Sequence, residues 1–215
     1  MNTIRSIATA GAFAAALFAS TAEAQDGAGP VPASGAAGLN VDLTTLMKAK
    51  AGAWADYTMS GKGTDKAVTI RYAVVERTPS KVSLEVDTPS PKGELVVRFD
   101  FVPQGPDTWK IQSGKVQLGG QKIDVPPAQL AAATPLKTTD PPGELVGTEE
   151  LTTPLGSFSS KHYKKSLTEG GKGPWMDVWI NPSISPTGLV KSSFEAMGIQ
   201  VTLLATGTGA QSKIQ

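Results

Sequence analysis

The chain has 215 residues, with 20 Lys and Arg against 19 Asp and Glu and a formal net charge of +1. So even a balance leaves no electrostatic footprint for nucleic acid. Having no cysteine, the chain can form no disulfide, no thiolate metal site and no thiol nucleophile, and its stability must come from a hydrophobic core.

The N-terminus comes first because it sets the compartment. Arg5 is followed by an uncharged run, Ile7–Phe18, rich in Ala, Ile, Leu and Phe, and then by Ala22-Glu23-Ala24. This is the order of a cleaved export signal, and the run is short of the about 20 residues that a membrane span needs. Residues 1–24 are expected to be a signal peptide cut near Ala24-Gln25. Without a cysteine to lipidate, the mature chain has no stable membrane anchor and is expected in the periplasm or outside the cell. Residues 25–40 are Gly, Ala and Pro with almost no bulky apolar side chain, which predicts a flexible linker.

Order is expected over 41–206 as a single β-rich domain. Asn40 or Asp42 can cap a helix carrying Leu43, Leu46 and Met47 on one face. Gly52 permits a turn, and Trp54 opens the first strand. From there the period changes to two. Val68, Ile70, Tyr72 and Val74 alternate with smaller or polar residues, as do Val82, Leu84 and Val86, and Leu95, Val97, Phe99 and Phe101. Such alternation marks antiparallel strands with one wet face. Trp109–Gln112, Lys115–Leu118 and Lys122–Val125 read as short strands, the last two joined through Gly119-Gly120. Pro126-Pro127 opens a short helical segment over Ala128–Ala133. Leu145–Leu151, Phe158–Ser166, Trp175–Ile180, Leu189–Phe194 and Ile199–Ala205 complete about ten strands, and 207–215 reads as a frayed tail. The expected fold is mainly β: a curled antiparallel sheet, or half-barrel, with two or three short helices over its concave face.

Catalytic signatures are weak. His162 is the single histidine, and a serine hydrolase needs such a base. Ser160, however, lies two residues along the same strand, about 7 Å away with its side chain parallel, and no G-x-S-x-G elbow exists. Glu149, Glu150 and Asp177 could be drawn together as paired carboxylates, with nothing but their presence to support it, and Asp140, Glu144, Glu149 and Glu150 as metal ligands, which lack the calcium-loop spacing. No catalytic residue, metal or cofactor is assigned. Lys161, Lys164, Lys165 and Lys172 cluster in sequence, as a solvated face or as a contact for an anionic surface.

The run from Gly147 contains Gly147-Thr148-Glu149, Thr153-Pro154-Leu155-Gly156-Ser157-Phe158, Lys161-His162-Tyr163, Val178-Trp179-Ile180 and Gly188-Leu189-Val190-Lys191. Over Gly147–Lys191 it resembles exported bacterial proteins of the lipoprotein-carrier superfamily, the LolA/LolB-like group. That resemblance implies a half-barrel with helices over an apolar concavity that takes acyl chains, and no enzymatic activity. The expected partner is a hydrophobic small molecule, a lipid or a lipoprotein, bound by Trp54, Tyr72, Leu84, Val97, Phe99, Phe101 and Trp179. Strand parity sorts these residues into faces without saying which face is concave. An envelope module with a filled core and a protein partner is the alternative, and a hydrolase the third reading.

Overall fold

The computed structural model describes residues 41–61, 67–90, 93–125, 136–166 and 174–214. The export signal, the 25–40 linker and the helix expected over 128–133 lie outside these residues.

One α-helix is described, α1 (Leu43–Lys48). Asp42 caps it, accepting from the Thr45 amide at 3.0 Å and the Thr45 hydroxyl at 2.5 Å, which satisfies a donor that the first turn leaves open. Twelve strands follow: β1 (Trp54–Ser60), β2 (Val68–Thr78), β3 (Lys81–Ser90), β4 (Gly93–Gly105), β5 (Thr108–Leu118), β6 (Gln121–Val125), β7 (Leu136–Lys137), β8 (Glu144–Thr153), β9 (Gly156–Ser166), β10 (Trp175–Ile180), β11 (Leu189–Phe194) and β12 (Ile199–Gly207). A 3-10 turn, Glu195–Met197, separates the last two.

The strands form one open antiparallel sheet in the order β6-β5-β4-β3-β2-β1-β12-β11-β10-β9-β8, with β7 also on β5. Mainly-β, antiparallel architecture is what the period-two runs predict. The helical part is smaller than expected, one short helix among the described residues rather than two or three. The two short strands expected over 109–118 are one, β5. Ser113 and Gly114 continue the ladder opposite Asp100 and Phe99, past a register shift at Phe101 and Ile111.

The register assigns the two faces. Tyr57 pairs with Ile70 and Leu203, Tyr72 with Val86, Leu84 with Phe99, and Val97 with Val116. These positions form the inner face. Leu46 and Met47 of α1 join them in one core, so the helix covers this side. Tyr57 fixes the cover from below: its buried hydroxyl donates to the Leu189 carbonyl at 2.8 Å and bonds the Thr187 hydroxyl, while the Thr187 carbonyl accepts from the Asp42 amide at 2.7 Å.

Residues 208–214, expected to fray, instead lie across the opposite, outer face. The Ala210 amide donates to the Gly52 carbonyl at 3.0 Å, and Ile214 is buried, 1% exposed. Ile214, Val96 and Ala73 are buried without belonging to the main core, as expected of a small second apolar patch on the outer side. Nothing local in this segment shows the partners waiting on the sheet.

Candidate functional site

The seven residues expected to line a concavity divide between the faces. Tyr72, Leu84, Val97, Phe99 and Phe101 come together on the inner face, and none exposes more than 7% of its surface. Burial pushes the Tyr72 hydroxyl up to about 12, since a phenolate cannot be solvated there. These side chains pack as a core. Trp54 and Trp179 are on the outer face: Trp54 alternates with Ala55 on β1, and Trp179 with Val178 and Ile180 on β10. The Trp54 indole lies over Gly207, where any Cβ would sit 2.5 Å from the ring. Its Nε1–H donates to the Thr208 carbonyl at 3.2 Å, and the Arg71 guanidinium stands 4.5 Å above the ring.

Trp179 belongs to a polar ladder over β8, β9 and β10. The His162 ring stacks on it at 4.4 Å between centroids and 16° between planes. His162 Nδ1 meets Glu149 Oε1 at 2.8 Å, and Nε2 meets Asp177 Oδ1 at 2.8 Å. Trp179 Nε1–H donates to the other Glu149 oxygen at 2.9 Å, and Lys191 sits over the indole at 5.2 Å. The hydrogen bonds from Trp179 and then His162 hold the Glu149 carboxyl below its ordinary value. Both imidazole nitrogens are occupied by carboxylates, so neither faces a hydroxyl that it could deprotonate. The arrangement serves to join three strands side by side. The sequence brings Glu149, His162 and Asp177 within range only through register, His162 standing opposite Gly147 and Trp179.

The lysines do not form one patch. Lys164 shares the His162 face by parity, whereas Lys161 and Lys165 alternate to the other face. Lys165 is half-buried, and desolvation lowers its ammonium pKa. Lys172 lies outside the described residues.

The largest polar constellation was not anticipated. On the outer face Arg98 donates to Asp100 at 3.0 Å, Glu76 at 2.9 Å and Ser83 at 3.0 Å. Asp100 also accepts from Ser83 at 2.6 Å and Ser113 at 2.7 Å. Burial pushes the Asp100 carboxyl up, but these hydrogen bonds outweigh it and hold the group below its ordinary value. Beside this network Glu85, only 3% exposed, has Arg98 at 4.0 Å. Its close partners come from the closing segment: the Ser212 hydroxyl at 2.5 Å and the Lys213 amide at 2.9 Å. The Lys213 ammonium bridges Asp87 and Glu94, the latter at 2.6 Å. Two clefts of about 380 and 300 Å³ flank this crossing, with Arg71, Asp87 and Lys213 lining both. The signal available in the sequence was the outward set Ser83, Glu85 and Asp87 on one strand beside Arg98 and Asp100 on the next. Alternation alone reads such positions as solvated.

No protein-family model matches the chain, and no curated protein matches it. Among solved structures, it is similar to a protein from Bacteroides fragilis described as exported and of YmcC-like fold, at 14% identity and a TM-score of 0.40, over 74% of this chain and 97% of that one. A protein from Parabacteroides distasonis described as a lipoprotein matches at 14% identity and a TM-score of 0.38, over 74% and 96%. A hypothetical protein of Chlamydia trachomatis matches at 9% identity and a TM-score of 0.48, over 80% and 95%.

Proposed function

We propose that this protein is an exported, non-enzymatic binding module of the cell envelope whose partner is another protein, engaged from outside its sheet. The observation that carries the reading is the burial of Tyr72, Leu84, Val97, Phe99 and Phe101, at most 7% exposed. Burying one methylene is worth about 0.8 kcal/mol, and an acyl chain gains that only where there is room beside apolar side chains. Here those side chains are already covered. Export rests on the leader-like pattern of Met1–Ala24, and the absence of chemistry on the double occupation of His162.

The second reading is the lipoprotein-carrier-like one: a curled sheet that holds a lipid or lipoprotein acyl chain once α1 moves aside. What favours it is the placement of α1 over the apolar face of a large antiparallel sheet. Native mass spectrometry of the protein purified from its envelope fraction without detergent separates the two. The expected result is the unadorned mass, unchanged after incubation with phospholipid vesicles. An adduct removable by organic extraction would sink the module reading and identify the ligand.

A further inference from the structure

We propose that the outer face of β2–β4 is a peptide-reading groove, occupied in this structure by the chain's own Gly209–Ile214. The partner it fits is an extended segment of another protein with a hydroxyl residue, a lysine and a branched aliphatic residue in succession. The inference rests on the protein-partner reading above and names the surface and the partner's chemistry.

Three features carry it. Glu85 is a buried carboxylate whose close partners are the Ser212 hydroxyl and the Lys213 amide, with the Ile214 amide at 3.5 Å. The segment both covers Glu85 and satisfies it; without an occupant the carboxylate keeps Arg98, at 4.0 Å, and opens to water. What Glu85 holds is mostly backbone and one hydroxyl, which many sequences can offer. Specificity comes from the next two positions. Asp87 and Glu94 close on one ammonium, which selects a lysine, and the following side chain is buried as Ile214 is.

The third feature is how the resident segment is attached. It leaves β12 through Gly207-Thr208-Gly209, with Gly209 at φ +88° and open space around it. It crosses between the two clefts, which leave room for an occupant bulkier than Gly209-Ala210-Gln211. A tethered segment competes at high effective concentration, so the resident acts as a built-in competitor that a partner must displace.

The test uses the full chain with a protease site inserted between Ala210 and Gln211. After cutting, a fluorescent peptide of sequence GAQSKIQ is offered and its anisotropy followed. Uptake in the micromolar range is expected, about tenfold weaker when the peptide's lysine is glutamate. A peptide sharing only the Ser-Lys-Ile order should bind nearly as well. The proposal is overturned if the cut chain stays folded by circular dichroism yet takes up no peptide, if the lysine proves irrelevant, or if the uncut chain fills its groove by exchange into dimers. Should cutting unfold the protein, the uncut Lys213→Glu variant replaces it. That variant should bind labelled GAQSKIQ and show faster amide exchange over 209–214, whereas the unmodified chain binds none; equal behaviour of the two overturns the proposal. A lipid adduct in the mass spectrum would remove the underlying reading while leaving these measurements intact. Absent peptide uptake with an unadorned mass removes only the groove.

Discussion

Single side chains in this protein mostly act by what they satisfy. Tyr57 is fully buried, and burial holds its phenol above the ordinary range, so the hydroxyl serves as a neutral donor and acceptor beneath α1. Tyr57→Phe should leave the Leu189 carbonyl and Thr187 hydroxyl short of a partner and cost about 1–3 kcal/mol in urea unfolding. Glu149 gives a pH-dependent case. Trp179 foremost, then His162, hold its carboxyl below the ordinary 4.5. Between the folded and unfolded values the unfolded chain binds more protons, so this contribution is fully present above the unfolded value and is lost as pH falls through the folded one. Glu149→Gln should therefore flatten the fall of Tm on acidification below about pH 4.5, while His162→Ala leaves partner binding unchanged. A thermal-melt series from pH 6 to 3 checks the slope; identical slopes for both chains would mean the ladder carries no pH dependence. None of this was readable locally. Glu149, His162 and Asp177 sit on three strands, and only their pairing brings them together.

At the scale of elements, α1 is held at its first turn. Its six residues are too few for a stable helix in isolation, so the Asp42 cap and the burial of Leu46 and Met47 must carry it. Gly188 is where the cap meets the sheet. Its φ is +71°, and an added Cβ would stand 2.8 Å from Asp42 Cβ. Gly188→Ala should cost about 2–3 kcal/mol, combining left-handed strain with a displaced cap. Gly120→Ala has comparable strain at φ +88° but open space, and should cost about 1 kcal/mol. Equal midpoints in urea for the two variants would show that the cap contact carries no energy. Gly120 was visible in the sequence as part of a turn, but nothing local showed that Gly188 abuts a helix cap.

The described strands form one open sheet whose central pair, β1 with β12, joins an early strand to the last one. Such long-range pairing closes late and folds slowly, and an open sheet leaves edges. β8 is one edge, with Leu145 57% and Val146 56% exposed beside a register shift. A bulge of this kind discourages edge-to-edge pairing but leaves apolar area showing. Val146→Lys should reduce association at high concentration, seen by light scattering, while moving stability by no more than about 0.5 kcal/mol. Unchanged scattering would locate any self-association elsewhere.

What the sequence determined by itself was the kind of structure. Period-two runs from Val68 to Phe101 fix strands and their faces because a side chain's direction alternates with the backbone pleat, a local property. Asn40 or Asp42 could be named as a cap, and Gly119-Gly120 as a turn, for the same reason. What only the tertiary structure decided was which face is covered, and by what. Parity sorts each strand into two faces, but only the ladder register between strands brings Tyr72, Leu84, Val97, Phe99 and Phe101 to one side and Trp54 and Trp179 to the other. The segment after β12 was expected to fray. It is ordered by Glu85, Asp87 and Glu94, which lie far from it in the chain and supply the charge partners that its own composition lacks.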